Sequence, residues 1–287
     1  MGSPMAGHLA AAGHALCVLD LNAARARALA DRYPNVVAAS NAADVARASD
    51  VVVTMLPSGE FVQQVAVGPE GLASGFKGGE LVIDTSSCEP WLTLETAKVL
   101  SSKNVAMVDA PTSGAEMGAK AAALVFMVGG ADADVTRARP VLEVMGKQVF
   151  HLGPLGSGHA MKSINNLVTA MTFLATAEGL ALGTKLGLDP NVMTDVMNVC
   201  TSESWITHTH IKQRITNRAF DDAFKLELMV KDIRIAMQLA AGEQLELPFS
   251  AAGQAFWKKA DELAGPHASV SELVRWVENV AGLEIRP

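Results

Sequence analysis

Cysteine is scarce in this chain of 287 residues: Cys17, Cys88 and Cys200 are odd in number and far apart. That excludes a disulfide framework and points to a reducing compartment. Basic runs are missing too, and a net charge of −7 argues against nucleic acid or an anionic membrane surface as the main partner. No apolar stretch approaches a membrane span. The opening residues, Met1-Gly2-Ser3-Pro4-Met5-Ala6, lack the charged region and apolar core of a signal peptide, and Ala6 stands where myristoylation requires Ser or Thr. Internal repeats and low-complexity segments are absent. What is plentiful is apolar: hydrophobic residues make up 49% and charged residues 18%, as in a well-buried globular protein. The sequence predicts a soluble, cytoplasmic protein of one large or two ordinary domains.

The pattern changes at about residue 157. Before it, short β-branched runs alternate with helical stretches. Ala15 to Asp20 reads as a buried strand ending in an acid, Asp50 to Pro57 as a strand stopped by proline, and Leu81 to Thr85 as a third. Val105 to Ala110 and Leu124 to Val128 read as further strands on either side of Pro111-Thr112-Ser113-Gly114. Helices are predicted over 23–31, after Asn41-Ala42, and over 60–67 and 90–102. This alternation predicts an α/β domain over residues 1–157, a Rossmann-type doubly wound parallel sheet covered by helices. Beyond it no strand pattern appears. A helix capped by Asp189-Pro190 and helical patterns over 226–241, 249–263 and 270–280 predict an all-α domain over 158–287.

The two halves meet at Gly156-Ser157-Gly158-His159-Ala160-Met161-Lys162-Ser163-Ile164-Asn165-Asn166. From Ala160 to Leu186 there is no proline, which predicts one helix about 40 Å long. Lys162 and Asn166, four apart, project from one face of its first turns. An amine and an amide so placed can grip a hydroxyl or carbonyl oxygen, although the same spacing is common on solvated faces. His159, just before Lys162 at the helix start, could touch the site, although a histidine there is more often a simple cap. His208-Thr209-His210 has no second cluster at ligand spacing, so no metal is predicted. Trp205 and His208 fall where a helical domain could line a substrate pocket.

Five segments, in order along nearly the whole chain, resemble the β-hydroxyacid dehydrogenase family. They are Thr54-Met55-Leu56-Pro57; Asp84-Thr85-Ser86-Ser87 with Pro90; Asp109-Ala110-Pro111-Thr112-Ser113-Gly114-Ala115; Gly156 through Asn166; and Lys231-Asp232. The resemblance implies NAD-dependent oxidation of a short β-hydroxy acid, 3-hydroxyisobutyrate-like, to its semialdehyde, with Lys162 as general acid/base. Asn166 would hold the same oxygen or orient Lys162, and Ser113, Gly114 and Ala115 would bind the substrate carboxylate. Lys231, beside Asp232, would approach the nicotinamide and the substrate, while Leu56-Pro57 would pack by the adenosine and Ser87 lie near the nicotinamide. The same chemistry run as a reductase of a small semialdehyde or glyoxylate is the alternative, and a catalytically silent scaffold is the reading from another class. A small carboxylate substrate and a homodimer or homotetramer built on the helical domain are the expected partners.

Asp20 predicts the cofactor. An acid at the end of the second strand of such a fold accepts hydrogen bonds from the ribose hydroxyls and repels a 2′-phosphate, which favours NAD. The family's Gly-x-Gly-x-x-Gly loop is represented only by its tail, Gly2 and Ser3. The strand and glycines that would come before are absent, which predicts unpaired edges on two neighbouring strands and roughly ten further residues upstream.

Overall fold

The computed structural model describes residues 1–287, which divide into two compact units, Met1–Lys162 and Ser163–Pro287. The first unit runs α1 (Gly2–Ala11), β1 (Leu16–Val18), α2 (Ala23–Arg32), β2 (Val36–Ala38), α3 (Ala42–Arg47), β3 (Val51–Thr54) and α4 (Gly59–Val67). It continues with β4 (Leu81–Asp84), α5 (Pro90–Ser101), β5 (Ala106–Asp109), β6 (Thr112–Ser113), α6 (Ala115–Lys120), β7 (Leu124–Gly129), α7 (Asp132–Met145) and β8 (Gly146–Gly153). Helix α8 (Ser157–Lys185) begins in this unit and continues into the second. The second unit then adds α9 (Pro190–Met197), α10 (Trp205–Thr209), a π-helical turn (Ile211–Ile215), α11 (Leu226–Gly242), α12 (Pro248–Ala264) and α13 (Leu273–Ala281), and holds no strand.

β3, β4 and β5 pair in parallel, register bringing Thr54 beside Asp84 and Asp84 beside Asp109. Strand β4 is a continuous apolar run in which Leu81, Val82 and Ile83 are fully buried, as expected of a strand covered on both faces. Alternation splits these residues between two clusters. Leu81 and Ile83 pack with Met5, Val108, Phe126 and Leu142 on one side, and Val82 packs with Leu100, Val105 and Met107 on the other. Each such side chain contributes about 1.5–3 kcal/mol through burial.

Two features depart from a wholly parallel sheet. β7 runs antiparallel to β5 and β6, the link from 110 to 123 holding β6 and the six-residue α6. β8, parallel to β7, was not foreseen in the sequence; its residues are mostly exposed and lack the apolar signature of a buried strand. β1 and β2 form a parallel pair of their own, separate from the six-stranded sheet that β3 terminates. Both β1 and β3 therefore leave an edge unpaired.

The second unit is organised on α8. Ala170, Phe173, Ala177 and Leu180 are fully buried in one cluster with Trp257 of α12, Ile233 of α11 and Leu273 of α13. The Trp257 indole donates to the Ala170 carbonyl at 3.2 Å, and Phe173 meets the Trp257 ring edge-on at 6.1 Å. At 29 residues α8 spans roughly 43 Å. By length and composition it is apolar enough to cross a membrane, which corrects the expectation from the sequence, yet 56% of its most apolar window is buried within the protein, as in a core helix.

Candidate active site

The carboxyl ends of parallel strands β3, β4 and β5 lie side by side, the position where open α/β sheets bind ligands. The turns there are tied together. Thr54 Oγ1 donates to Asp84 Oδ1 at 2.8 Å, Thr85 Oγ1 donates to the Thr54 carbonyl at 2.6 Å, and Leu56 N donates to Ser86 Oγ at 2.9 Å. This lattice holds the Leu56-Pro57 and Ser86-Ser87 turns, with Pro57 exposed and Leu56 and Ser87 half-buried. Ser113 ends β6, half-buried, and Gly114 follows with φ +123°, a conformation that glycine alone adopts readily. Ala115, next in line, has φ +51°, left-handed in a residue with a Cβ, a strain that tends to be retained at functional turns.

The first turn of α8 is seated on the same sheet by Asp109, fully buried at the end of β5. Its Oδ1 accepts from Gly156 N and its Oδ2 from His159 N, both at 2.7 Å. These two N–H groups are among the unpaired donors at a helix start, and a carboxylate is their best partner. The close seat also requires glycine: a Cβ on Gly158 would overlap the Met127 carbonyl oxygen of β7 and lie 2.9 Å from Asp109 Oδ2. His159 is more than a simple cap, the other of the two readings the sequence left open. Its ring is fully buried, with Nδ1 2.8 Å from Thr93 Oγ1 and 3.7 Å from Asp109 Oδ2, and Nε2 3.7 Å from Asp84 Oδ2. Sequence reasoning missed this group because its members are dispersed; the acids ending two strands were the one visible signal. Lys162, three residues on from His159, is half-buried.

In the second unit, Asn166 is buried on α8 and its Nδ2 donates to Asp232 Oδ2 of α11 at 2.6 Å. Lys231 Nζ lies 3.3 Å from Asp232 Oδ1, with 16% of its side chain exposed and Asp232 at 1%. The Lys-Asp pair is thus no surface ion pair but a shielded one that also holds Asn166. His208 and His210 go separate ways. His208 is exposed and meets Glu203 at 2.8 Å, while His210 is buried, 3.3 Å from Asp222 and edge-on to Trp205.

Whether the first unit suits a dinucleotide can be tested on its own residues. Helix α1 starts at Gly2 with no side-chain cap and no acid in its first turn, so its leading N–H groups remain available to an anion. Gly2 sits close against the end of β3, where an added Cβ would touch Met55 at 3.8 Å, and Ser3 beside it is exposed. Asp20, just past β1, is exposed and its Oδ1 accepts from Asn22 N at 2.8 Å, which fixes the turn. A phosphate-sized anion at α1 and ribose hydroxyls at Asp20 fit these groups.

Comparison with known proteins agrees. A family profile described as the NAD binding domain of 6-phosphogluconate dehydrogenase matches residues 1–153, and one described as NAD-binding of NADP-dependent 3-hydroxyisobutyrate dehydrogenase matches 156–277. The 2-(hydroxymethyl)glutarate dehydrogenase of Eubacterium barkeri is 32% identical over 285 residues, covering 99% of this chain and 94% of that protein. The 3-hydroxyisobutyrate dehydrogenase of Pseudomonas aeruginosa is 35% identical, over 88% of this chain and 86% of its own. The solved Mycobacterium tuberculosis 3-hydroxyisobutyrate dehydrogenase with L-serine superposes with a TM-score of 0.86 at 32% identity, covering 96% and 95% of the two chains. The chain belongs to the β-hydroxyacid dehydrogenase family, NAD(P)-dependent oxidoreductases acting on CH–OH groups.

Proposed function

We propose that this protein oxidises a short 3-hydroxy carboxylate to its semialdehyde with NAD, 3-hydroxyisobutyrate being the first substrate to try. The observation that carries the reading is the pair Lys162 and Asn166, one turn apart on α8, with the amide of Asn166 held by Asp232. The relatives narrow the substrate class. 3-Hydroxyisobutyrate, 2-(hydroxymethyl)glutarate and the L-serine of a Pseudomonas aeruginosa dehydrogenase 33% identical to this chain all carry CH2OH on the carbon next to a carboxylate. They differ only in the third substituent of that carbon.

NAD would be held by Gly2, Ser3, Asp20, Leu56, Pro57 and Ser87 and would supply the hydride acceptor. The chain's own residues do the rest. The Ser113 hydroxyl and the backbone at Gly114 and Ala115 hold the carboxylate. Lys162 Nζ binds the substrate hydroxyl and takes its proton during oxidation, returning one during reduction. Asn166 steadies the same oxygen, and Lys231, paired with Asp232, adds positive charge toward the carboxylate and nicotinamide. Asp20 favours NAD over NADP by repelling a 2′-phosphate. The cofactor domain is taken as residues 1–157 and the helical substrate and oligomerisation domain as 158–287.

The same groups run in reverse would reduce a small semialdehyde or glyoxylate. Initial rates in both directions, with NAD, NADP and their reduced forms, on a panel of 3-hydroxy acids and semialdehydes decide the matter. NAD-linked oxidation of at least one 3-hydroxy acid is expected; no turnover in either direction, with NADH still bound, would leave the silent scaffold. Val168 and Leu182 on α8 and Leu186 just after it are 61–71% exposed, which supports a homodimer or homotetramer, to be read by light scattering. Three free cysteines fit a cytoplasmic setting.

A further inference from the structure

We propose that His159 is a positioning residue. With Asp84 and Asp109 it forms a buried carboxylate–imidazole–carboxylate brace that seats the first turn of α8 and thereby sets where Lys162 presents its amine. The proposal rests on the acid/base role given to Lys162 above.

Three observations carry it. Asp84 and Asp109 occupy paired positions on adjacent strands, both fully buried, so two carboxylates stand side by side away from water. Like charges so placed repel, and the His159 ring lies 3.7 Å from an oxygen of each. Capping does not need the ring, because the N–H groups of Gly156 and His159 reach Asp109 through the backbone. The ring instead stands beside Asp84 of β4 as well as Asp109 of β5, and its Nδ1 lies 2.8 Å from Thr93 Oγ1 of α5. Asp84 is in turn fixed by Thr54 Oγ1 at 2.8 Å, Ser86 N at 3.0 Å and Cys88 Sγ at 3.4 Å. A first turn hydrogen-bonded to β5 through Asp109 and to α5 through Thr93, with Asp84 of β4 close beside the ring, is restrained, and Lys162 follows one turn later. Displacing a reacting group by about 1 Å can cost on the order of 100-fold in rate.

Donor atoms of Asp84, Cys88 and His159 all lie within 4.8 Å of one another, so a metal ion is the rival occupant. The geometry favours the brace, since Asp84 Oδ1 already accepts two hydrogen bonds and the Cys88 thiol is placed to donate to Oδ2.

The test compares wild type, His159→Gln, Thr93→Val and Lys162→Ala for kcat, KM, the pH profile of kcat, NADH affinity, thermal midpoint and metal content. The brace predicts that His159→Gln lowers kcat per folded molecule about 10- to 100-fold and displaces the basic limb of the pH profile, while NADH affinity stays within about threefold. Thr93→Val, milder and folded even if the first variant is not, should lower kcat severalfold in the same pattern. Adding Asp84→Asn to His159→Gln should recover part of both kcat and thermal midpoint, since the uncompensated carboxylate pair is gone. Unchanged kcat in His159→Gln, or in Thr93→Val should the former not fold, overturns the brace. So does stoichiometric zinc whose removal abolishes activity. Full activity in Lys162→Ala would instead overturn the acid/base reading itself, which keeps the two failures distinct.

Discussion

Gly158→Ala adds one methyl group where α8 presses on the sheet. The new Cβ would overlap the Met127 carbonyl oxygen and lie 2.9 Å from Asp109 Oδ2 and 3.0 Å from the Asp109 carbonyl oxygen. Two of these three atoms are backbone within β5 and β7, so no side-chain rotation relieves the clash. The helix start must withdraw instead. Overpacking of this kind costs about 1–3 kcal/mol, and the withdrawal also stretches the two 2.7 Å bonds to Asp109, each worth about 1.5–3 kcal/mol when intact. A loss of about 3 kcal/mol is expected, or about 6–12 °C in the midpoint of the first unit. The same helix supplies internal controls. Gly179 has nothing within 4 Å of a built Cβ, so Gly179→Ala should gain about 0.8–1 kcal/mol from helix propensity. At Gly183 the obstacle is the flexible thioether of Met193, so Gly183→Ala should fall between the two. Circular dichroism of urea and thermal unfolding reads all three. If Gly158→Ala lies within about 0.5 kcal/mol of wild type, or behaves like Gly179→Ala, the seat described for α8 is mistaken.

Three other perturbations have worked signs. Burial holds the His210 imidazole below its ordinary 6.5, Arg214 adding to the effect and Asp222 opposing it. The unfolded chain then takes the proton first, so this stability is present above about 6.5 and lost as pH falls through the folded value; His210→Gln should flatten the midpoint between about pH 7 and 5, and an unaltered slope would count against the assignment. Replacing Asp20 by Ser removes an acid that stands 4.0 Å from Arg25, and should raise NADPH affinity relative to NADH roughly tenfold in a fluorescence titration. Asp189 caps α9 by accepting from Asn191 N at 2.7 Å and Val192 N at 3.4 Å, so Asp189→Ala should cost about 1 kcal/mol in urea unfolding.

What could be read from the sequence was what local pattern determines. The long helix predicted over 160–186 is observed at 157–185, because a proline-free apolar run and a glycine entry are local signals. Asp189-Pro190 marked a helix start for the same reason. Leu81 to Thr85 read as a strand, observed at Leu81–Asp84, because a strand covered on both faces is apolar throughout. β8 escaped because an exposed strand has no such signature, and the reversal at β7 is a matter of pairing, which no local pattern states. The role of His159 stayed open because its meaning lies in partners 50 and 66 residues away in sequence, brought to it only by the order of the sheet. Lys231-Asp232 was legible as a pair, but its hold on Asn166 came from packing of α8 against α11.

Lys162 is the residue on which the proposed chemistry depends. The most direct measurement is kcat/KM for 3-hydroxyisobutyrate with saturating NAD, wild type against Lys162→Ala, with NADH affinity measured on both proteins. A loss of about 10²- to 10⁴-fold at unchanged NADH affinity is the expected result. Turnover by Lys162→Ala within about threefold of wild type would contradict the assignment and return Lys162 to an ordinary helix surface.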